Sequence, residues 1–358
     1  MKVFNYILNK IFKVSPLLRR LYYTLKGDAY SYGKVPLNKA IGIAFDKFMP
    51  QSSYTNDKEQ ITKDIVRCYV LYGITPSDYF LFGFNTINTK HRQRKKFVSD
   101  ELKDRTLIKK EGWNNYLELS DKYAFYLKAK AFYGRELFAF DEKTDKESFS
   151  QFVVSVKDLF IKPNGGSYGQ GAFVALCNDN DEADELFMLL KERGGAWILE
   201  ERIIQDEGMA QWNESSVNTI RFMSILTSKG YHSLTPFLRT GRKGSIVDNC
   251  GSGGILANIE LSTGRIYTDG IDENGQIYSV HPDSGITFKD TIIPYWNQLL
   301  DTVKAAHTTV ASNHKYIGWD LALSCGKWII IEVICGQFVN QYVDKVGRKE
   351  EFLKYMKN

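Results

Sequence analysis

The stretch "YIGWDLALSCGKWIIIEVICG", residues 316 to 336, decides the fold of this chain. Its two apolar runs surround the turn-forming segment Ser324-Cys325-Gly326-Lys327, and this pattern predicts a β-hairpin. If the turn centres on Gly326, Asp320 and Glu332 are equidistant from it. The two acids then face each other across the strands, with side chains about 5 Å apart.

Two carboxylates opposed in an apolar hairpin destabilise it unless a cation lies between them. Mg²⁺ suits that position, because it takes carboxylate ligands together with nucleotide phosphates. A register shifted by one residue would instead place Asp320 and Glu332 on opposite faces of the hairpin. The hairpin therefore has two interpretations, a magnesium site and a shifted register.

A glycine-rich segment, "FIKPNGGSYGQG" at residues 160 to 171, contains a lysine, a proline and closely spaced glycines. Apolar spacing on both sides of it predicts a small α+β unit. The predicted elements are a helix near 149–156, strands at 159–162, 171–177 and 196–203, and a helix at 181–193 that ends at Gly194-Gly195. The residue order is neither GxxxxGK[ST] nor GxGxxG, so the two standard nucleotide-binding motifs are excluded. Two interpretations remain: an ordinary turn, or a flap of backbone N–H groups that closes over a polyphosphate with Lys162 at its base.

Composition limits the class of protein. The 358 residues are enough for two or three packed units, and 43% hydrophobic with 14% aromatic residues predict a folded globular chain. The net charge of +5 is too small for a dedicated nucleic-acid binder, so we expect no nucleic-acid partner. The five cysteines form no CxxC pair and show no zinc-binding spacing, which is typical of the reducing cytoplasm. No stretch reaches the ~18 apolar residues of a membrane-spanning helix, so we expect a cytoplasmic protein.

Two amphipathic helices are predicted at the N-terminus. Apolar residues recur at helical spacing within residues 3–14, and Ser15-Pro16 is typical of the start of a second helix. The apolar stripe of the second helix, beside Arg19 and Arg20, consists of Leu17, Leu18, Leu21 and Leu25. One interpretation is a helical hairpin packed on the body of the protein. The other is a basic anchor that makes the protein peripheral to an anionic membrane surface.

One dense cationic run, "TKHRQRKK" at residues 89 to 96, also has two interpretations. It is typical of a solvated loop or helix face. The alternative is a contact for an anionic glycan, lipid or nucleotide, and no interleaved aromatic residues favour nucleic acid.

Seven motifs follow one another along the chain, and together they resemble an ATP-grasp protein. They are "LSDKYAF", "FIKPNGGSYGQG", "WILEERI", "SVNTIRF", "FLRTGRKGSIVDNCGSGGI", "HPDSG" and "IGWDLAL...IIIEV". The likeness is strongest to the sugar-transfer-associated branch, which is found with polysaccharide biosynthesis, and it covers roughly residues 75 to 345. It implies an α+β ATP-grasp fold, two α+β subdomains that clasp ATP, preceded by a helical N-terminal region. The expected domains are a helical and pre-ATP-grasp segment at 1–115, a lid subdomain at 116–205 and a core subdomain with the metal site at 206–358.

The resemblance also assigns residues to ATP. Lys122 and Lys162 would contact the α and β phosphates. The lid loop would consist of Gly165, Gly166, Gly169 and Gly171. Glu200 and Glu201, with the backbone up to Ile203, would form the hinge strand that reads adenine. The ribose acid stays open among Asp206, Glu207 and Glu214, of which we take Glu207 forward.

The same resemblance assigns the reacting groups. Arg239 and Arg221 would neutralise the γ phosphate and the acyl phosphate formed from it, and Asp320 and Glu332 would hold Mg²⁺. Asp248 and Asn249 would bind substrate on the acceptor side. His281 is either a turn histidine before Pro282 or a group that contacts substrate and transfers a proton.

One position departs from the family pattern. ATP-grasp proteins usually carry Asn two residues after the last metal-binding Glu, and this chain has Ile334 there. An apolar side chain cannot bind magnesium, so the second metal site is weakened or completed by another group. Gln337 and Asn340 lie within reach along the chain.

The resemblance thus implies an ATP- and Mg²⁺-dependent ligase that forms an amide through an acyl phosphate. Its substrates would be a small-molecule carboxylate, sugar-linked or from an amino acid, and an amine, in surface polysaccharide biosynthesis. Two alternatives are an ATP-dependent phosphotransferase and, because of Ile334, a non-catalytic ATP-binding subunit of a glycan assembly complex.

Overall fold

The computed structural model describes residues 11, 15–31, 35–49, 57–86, 91–165 and 169–356. The chain forms two compact units. The first comprises Met1–Lys109, Asn274–Gln276 and Gln337–Lys357, and the second comprises Lys110–Glu273 and Ile277–Gly336.

The helices and strands are numbered in chain order. The helices are α1 (Pro16–Lys26), α2 (Leu37–Phe48), α3 (Lys58–Tyr72), α4 (Pro76–Leu81), α5 (His91–Arg94), α6 (Asp100–Glu111), α7 (Trp113–Glu118), α8 (Lys122–Tyr133), α9 (Lys146–Val156), α10 (Asn180–Arg193), α11 (Glu207–Ala210), α12 (Trp296–Thr309), α13 (Asn340–Asp344) and α14 (Lys349–Met356). The strands are β1 (Tyr30–Ser31), β2 (Val35–Pro36), β3 (Leu137–Phe140), β4 (Asp158–Pro163), β5 (Phe173–Leu176), β6 (Trp197–Glu201), β7 (Thr219–Thr227), β8 (Gly230–Ser233), β9 (Phe237–Thr240), β10 (Ile255–Asn258), β11 (Gly270–Ile271), β12 (Ile277–Tyr278), β13 (Tyr316–Ser324) and β14 (Lys327–Ile334).

Polar side chains begin the helices around the glycine-rich segment. Asp121, Asp145 and Asp179 each accept a hydrogen bond from the backbone N–H three residues later, at the starts of α8, α9 and α10. These bonds satisfy backbone donors that have no partner inside the helix. Gly194 ends α10 with φ of +64°, as its position in the sequence predicts.

The first unit contains α1. The sequence offered two interpretations of this helix, and its observed packing does not agree with the one in which the leucine stripe packs on the body of the protein. The helix spans Pro16–Lys26 between the cap residues Ser15 and Gly27, whose φ is +75°, so its predicted start is confirmed. Its leucine stripe, however, does not face a core. The buried side chain of α1 is Arg20, whose Nε donates to the carbonyl oxygen of Val70 at the end of α3 (3.0 Å). Apart from residue 11, the helix predicted at 3–14 lies outside the described residues.

The cationic run at 89–96 is described from residue 91 onward, and it is not uniformly solvated. Arg94 is buried, and its guanidinium pairs with Asp64 and lies over the ring of Phe84, 5.0 Å from the centroid.

None of the helices that the structure describes is long and apolar enough to cross a membrane.

The second unit contains two antiparallel sheets. The lid sheet has four strands in the order β3-β6-β4-β5. Phe149 and Leu190, from α9 and α10, pack on its outer face against Leu159, Ile161 and Leu199. The helix-strand order predicted around the glycine-rich segment is therefore confirmed, with boundaries that shift by one to three residues.

The core sheet has eight strands, in the order β12-β11-β10-β9-β7-β13-β14 with β8 paired to β7. One face is apolar and buries Phe222, Trp319 and Ile330 against residues of α8 and α12, among them Phe125 and Val303. The opposite face of β7 and β13 carries Arg221 and Asp320. Alternation along the strands thus separates a hydrophobic face from a charged one.

The hairpin β13-β14 pairs Asp320 with Glu332, as the sequence predicts, but for a different reason. Its turn is Cys325-Gly326, both with positive φ, so the pairing starts with Ser324 opposite Lys327. A regular ladder from this turn would place Asp320 opposite Ile331, which is the shifted register. A bulge at Ile331 moves the pairing by one residue and brings the two acids into line.

Candidate active site

Three charged residues form a row across adjacent strands of the core sheet. Arg221 on β7 pairs with Asp320 on β13, which pairs with Glu332 on β14. Arg239 on β9 lies opposite Thr219, two residues before Arg221. Directly opposed residues of antiparallel strands share a face, as do residues two apart on one strand. The four side chains therefore project from the same face of the sheet.

Asp320 is bound by both arginines. Arg221 donates from Nε and Nη2 to the two carboxylate oxygens, with Nη2 to Oδ2 at 2.8 Å, and Arg239 Nη1 donates to Oδ2 at 3.0 Å. Burial raises the pKa of Asp320, but the charges of Arg221 and Arg239 outweigh burial and lower it to about 2. The carboxylate is therefore ionised at neutral pH and fixes the orientation of both guanidinium groups.

Arg239 is also held from its other side. Its Nη2 donates to Asp248 Oδ1 and Asn249 Oδ1, and Asp248 Oδ2 accepts from the backbone N–H of Thr219 (3.1 Å). Burial raises the pKa of Asp248, and Arg239 lowers it only in part. The structure thus places the two predicted substrate residues against Arg239.

Glu332 contacts the start of α8. Its Oε1 lies 3.4 Å from Nζ of Lys122, the first residue of that helix. The Glu332 side chain is 24% exposed, compared with 8% for Asp320. Of the two opposed acids, Glu332 is therefore the more accessible to a ligand.

A second group of charges lies on the inner face of the lid sheet. Glu200 on β6 pairs with Lys162 on β4 through one oxygen and with Arg135 through the other, where Arg135 Nε to Oε2 is 3.1 Å. Burial raises the pKa of Glu200, but Lys162 and Arg135 outweigh burial and lower it to about 2. Glu200 therefore positions Lys162, the cation at the base of the glycine-rich segment.

Arg135 is the site residue that sequence reasoning missed. Besides Glu200, it contacts the carbonyl oxygens of Ile330 (2.8 Å) and Ile331 (3.5 Å), at the bulge beside Glu332. It therefore connects the lid sheet to the charged row of the core sheet. The only sequence signal was an arginine directly after Gly134, the glycine that ends α8 with φ of +61°.

The glycine-rich segment approaches the loop that holds Arg239. Gly169 has φ of +70°, and a Cβ atom there would lie 2.7 Å from Val247 Cγ1 and 3.2 Å from Asn249 Nδ2. Only glycine fits so close a contact with this φ. Gly171 also has a positive φ, Gly165 is exposed, and Gly166 lies outside the described residues. The described end of the segment thus rests beside Asn249, a direct contact of Arg239.

His281 has the geometry of a turn histidine. It is fully buried, its Nδ1 accepts from the backbone N–H of Ser284 (3.3 Å), and its Nε2 donates to the carbonyl oxygen of Gly241 (3.1 Å). Burial lowers the pKa of His281, so the imidazole is neutral. Both ring nitrogens are used by the backbone, and this arrangement leaves no lone pair for a substrate proton.

The remaining predicted hinge and ribose residues differ in exposure and in contacts. Glu201 ends β6 with an exposed side chain, and Ile203 follows it in the connection to α11. Asp206 Oδ2 accepts from the backbone N–H of Gly326 (2.7 Å), so this acid is committed to the hairpin turn. Glu207 and Glu214 are exposed and stay available for a ribose.

A magnesium ion fits the acids only if phosphate and water supply most of its ligands. In the part of the chain that the structure describes, no three His, Cys, Asp or Glu side chains are grouped as a metal site. Asp320 accepts three hydrogen bonds from arginines, which leaves one of its four lone pairs. Mg²⁺ commonly takes one or two carboxylates and completes its shell with phosphate and water, so Glu332 with Asp320 suits it.

The residue that departs from the family pattern lies next to this pair. Ile334 is opposite Gly318, two residues after Glu332, and so shares its face. Gln337 and Asn340 belong to the first unit, where Gln337 Nε2 donates to Asp100 Oδ2 (3.0 Å) and Asn340 is buried in α13.

The chain is similar to proteins of a known family. Residues 102–341, well over half of the chain, match the family model described as sugar-transfer associated ATP-grasp. No curated protein sequence matches the chain significantly.

Several solved structures are similar to the chain. One is D-alanine–D-alanine ligase from Bacillus anthracis, with 13% identity, 66% of each chain covered and a TM-score of 0.39. Another is L-amino acid ligase from Bacillus licheniformis, with 13% identity, 67% of this chain and 48% of that chain covered and a TM-score of 0.38. A third, the ATP-grasp ligase PsnB complexed with minimal precursor, has 12% identity, coverage of 74% and 69% and a TM-score of 0.41. The chain spans less than two thirds of the length of the two Bacillus ligases.

Proposed function

The chain belongs to the sugar-transfer associated ATP-grasp family, and from this premise we propose that it is an ATP- and Mg²⁺-dependent ligase. It joins a carboxylate to an amine through an acyl phosphate. The lid sheet and the core sheet, with their helices, are the two α+β subdomains of the ATP-grasp fold. ATP would lie between them, over the face that carries the charged row.

The observation that carries the proposal is the row Arg221-Asp320-Glu332, with Arg239 beside it, on one face of the core sheet. Asp320 holds both guanidinium groups in place before any substrate binds. Cations fixed in this way stabilise charge that develops in a transition state without the cost of reorientation. A surface cluster with only a structural role would not need two buried arginines aimed at one carboxylate.

The chemistry requires these residue types. A carboxylate is a poor electrophile, and phosphorylation turns one of its oxygens into a leaving group. Arg221 and Arg239 would stabilise the phosphoryl group during its transfer, because their planar forks match phosphate oxygens. Lys122 and Lys162 would bind the α and β phosphates. Mg²⁺, held by Glu332 and Asp320, would neutralise charge on the phosphate oxygens.

The lid supplies the remaining contacts with ATP. Glu200 keeps Lys162 directed along the inner lid face, and the loop through Gly165, Gly166 and Gly169 would cover the phosphates. The backbone from Glu201 to Ile203 would read adenine, and Glu207 would bind the ribose. Glu200 contributes indirectly, since both its carboxylate oxygens contact cations.

The substrates follow from the family rather than from the geometry. We infer that the acid is a small, sugar-linked or amino-acid carboxylate and that the product enters surface polysaccharide biosynthesis at the cytoplasmic side. Asn249 and the glycines of the loop up to Gly254 would line the acceptor side, with Asp248 supporting Arg239. His281 is left out of the proton transfers, because both its ring nitrogens bind the backbone.

A second function is favoured by one observation. Ile334 stands where the family usually has a metal ligand, and Asp320 has little capacity left for a metal. A non-catalytic ATP-binding subunit of a glycan assembly complex would have this arrangement.

The test is ADP release by the purified protein with Mg²⁺, ATP and a matrix of uronic acids, sugar nucleotides and amino acids. ADP that forms only when an acid and an amine are both present supports the ligase. ADP that forms with a hydroxyl compound alone indicates a phosphotransferase instead. ATP binding without ADP for every pair favours the non-catalytic subunit. The variant Arg221→Gln measures contaminating ATPase, because it lacks a proposed catalytic cation.

A further inference from the structure

The excess positive charge of the chain lies at its N-terminus. Residues 1–27 contain six of the 47 lysines and arginines and none of the 42 aspartates and glutamates. The net charge of the whole chain is +5, so the rest of the chain is close to neutral. The first acid in the sequence is Asp28, directly after the glycine that ends α1. A segment of this composition attracts a surface of opposite charge.

Within this segment, α1 presents an apolar face to solvent. Its leucines are 39%, 46%, 38% and 79% exposed at Leu17, Leu18, Leu21 and Leu25. At 100° per residue, these four positions fall within an arc of about 100°. Isolated exposed leucines are common on protein surfaces, but a continuous stripe along one helix is typical of an interaction surface.

The polar side of α1 attaches it to the first unit. Arg20 donates to the carbonyl oxygen of Val70 (3.0 Å) and to Glu101 (2.8 Å), and Arg19 donates to Glu101 at 3.0 Å. These contacts fix the rotation of the helix about its own axis. The leucine face is consequently held outward, the reverse of a helix that packs through its apolar stripe.

A tyrosine and a lysine flank the leucine face, as is typical of helices that lie at a membrane–water interface. Tyr22 adjoins the stripe, and Lys26 Nζ lies 4.7 Å from the centre of its ring. Tyrosine rings favour the boundary between headgroups and acyl chains, and lysines reach past them to the aqueous side. The eleven residues of α1 span about 16 Å, a length that suits a helix lying in the plane of the boundary.

We propose that α1 docks the protein on an anionic lipid membrane. Its leucine face enters the boundary between headgroups and acyl chains, and Lys26 contacts anionic headgroups, to which the net positive charge of residues 1–27 attracts the helix. A second copy of the chain does not suit this face, because it would bring two segments of the same strong positive charge together. A lipid surface provides apolar depth and negative charge at once. The proposal stands independently of the ligase reaction.

The test uses the full-length protein and co-sedimentation with phosphatidylcholine vesicles, with and without phosphatidylglycerol. Wild type is expected to partition onto the anionic vesicles and to stay in solution with the neutral ones. The double variant Leu21→Glu/Leu25→Glu should lower partitioning at least tenfold, because two apolar side chains leave the membrane. The triple variant Lys10→Gln/Lys13→Gln/Lys26→Gln should lower it about fivefold per lysine, and added salt should act in the same direction.

The matched control is Ile43→Glu/Met188→Glu, which places the same two charges at exposed apolar residues, 50% and 64% exposed, outside α1. It should partition as wild type does. Unchanged thermal unfolding and ATP binding of the α1 variants show that they remain folded. Equal partitioning of wild type and Leu21→Glu/Leu25→Glu, or no preference for anionic vesicles, overturns the proposal. The proposal is also overturned if wild type is a dimer in solution and Leu21→Glu/Leu25→Glu is a monomer, because the leucine face would then bind a second copy of the chain.

Discussion

The two opposed acids of the hairpin have different surroundings. Asp320 accepts three hydrogen bonds from arginines and is almost fully buried, whereas Glu332 is contacted by Lys122 at 3.4 Å and is partly exposed. Asp320 is therefore suited to orient Arg221 and Arg239. Glu332 has the lone pairs and the access that a metal ion or phosphate-bound cation requires.

This difference predicts the effect of Glu332→Gln. The substitution removes the charge that would hold Mg²⁺ but keeps the size of the side chain, so Mg²⁺-dependent ADP release should fall about a hundredfold. Thermal unfolding should change little, because a partly exposed ion pair contributes at most about 1 kcal/mol. The control is Glu185→Gln, an exposed acid of α10 outside the proposed site, which should retain wild-type turnover. Full activity of the Glu332 variant would exclude Glu332 as a metal ligand.

Substitution of Ile334 is expected to strengthen Mg²⁺ binding, whereas substitution of Glu332 is expected to weaken it. Because it shares a face with Glu332, the variant Ile334→Asn would place an amide oxygen beside the acids. We expect the Mg²⁺ concentration for half-maximal ADP release to fall about tenfold. If wild type proves inactive, calorimetry of Mg²⁺ binding with ADP present gives the same comparison. Ile334→Leu serves as the control, and an identical Mg²⁺ dependence of all three proteins would contradict the placement.

At the scale of elements, the hairpin and the lid sheet are joined by one side chain. Arg135 contacts Glu200 on β6 and the carbonyl oxygens of Ile330 and Ile331 on β14. The bulge at Ile331 exposes a carbonyl oxygen that a regular ladder would pair with another strand. Arg135 supplies a donor at that position and so stabilises the register that aligns Asp320 with Glu332.

Removal of this connection should cost stability. Arg135→Ala leaves Glu200 with Lys162 as its remaining cation and leaves buried carbonyl groups without their donor. The free energy of unfolding in urea should fall by roughly 3 kcal/mol. Arg202→Ala, at an exposed pair with Asp158, should change it by less than about 1 kcal/mol. Equal stability of both variants would mean that Arg135 does not hold the two elements together.

Lys162, on strand β4 of the lid sheet, is expected to contribute to ATP affinity. Lys162→Ala removes the cation that Glu200 orients, so ATP affinity measured by calorimetry should weaken at least tenfold. Lys143→Ala, at an exposed lysine of the same subdomain, should leave the affinity unchanged. Wild-type affinity of the Lys162 variant would remove the glycine-rich segment from the proposed ATP site.

At the scale of the whole molecule, a buried histidine ties the core sheet to α12. Trp319 Nε1 donates to Ser224 Oγ (2.7 Å), the Ser224 hydroxyl donates to His307 Nδ1 (2.7 Å), and His307 Nε2 donates to the carbonyl oxygen of His314 (2.9 Å). This order of donors requires a neutral imidazole. Burial lowers the pKa of His307 from 6.5 to about 4.

The stability of the protein should therefore decrease in mild acid. Between pH 6.5 and about 4, His307 binds a proton in the unfolded chain but not in the native one, so stability falls as the pH falls. The loss that comes from His307 is roughly 3 kcal/mol at most. Asp320 and Glu200, with pKa values lowered to about 2, lose their contribution only at lower pH, below their ordinary values of 3.8 and 4.5.

Urea unfolding at a series of pH values measures this dependence. His307→Gln should be less stable than wild type at pH 7 and should show a shallower slope between pH 6.5 and 4. His232→Gln, at a histidine on β8 that is only partly buried, should keep the wild-type slope. A wild-type slope in the His307 variant would contradict the assignment.

What the sequence by itself determined were features that neighbouring residues decide. The start of α1 at Ser15-Pro16, the end of α10 at Gly194, the glycine-rich connection after β4 and the turn near Gly326 each depend on a few consecutive residues. Local side-chain and backbone chemistry therefore predicts them directly. The order of the motifs along the chain, likewise a property of the sequence, was sufficient to indicate the family.

The tertiary structure alone decided which distant groups meet. The bulge at Ile331, the link from Arg135 to Glu200, the support of Arg239 by Asp248 and the outward rotation of α1 all depend on register or on packing between elements. A one-residue shift in a ladder reverses a face, and no local pattern encodes that shift. Spacing gave the opposition of Asp320 and Glu332 as one of two registers. Only the packed chain shows that a bulge creates this pairing, and that arginines bind one acid and leave the other accessible.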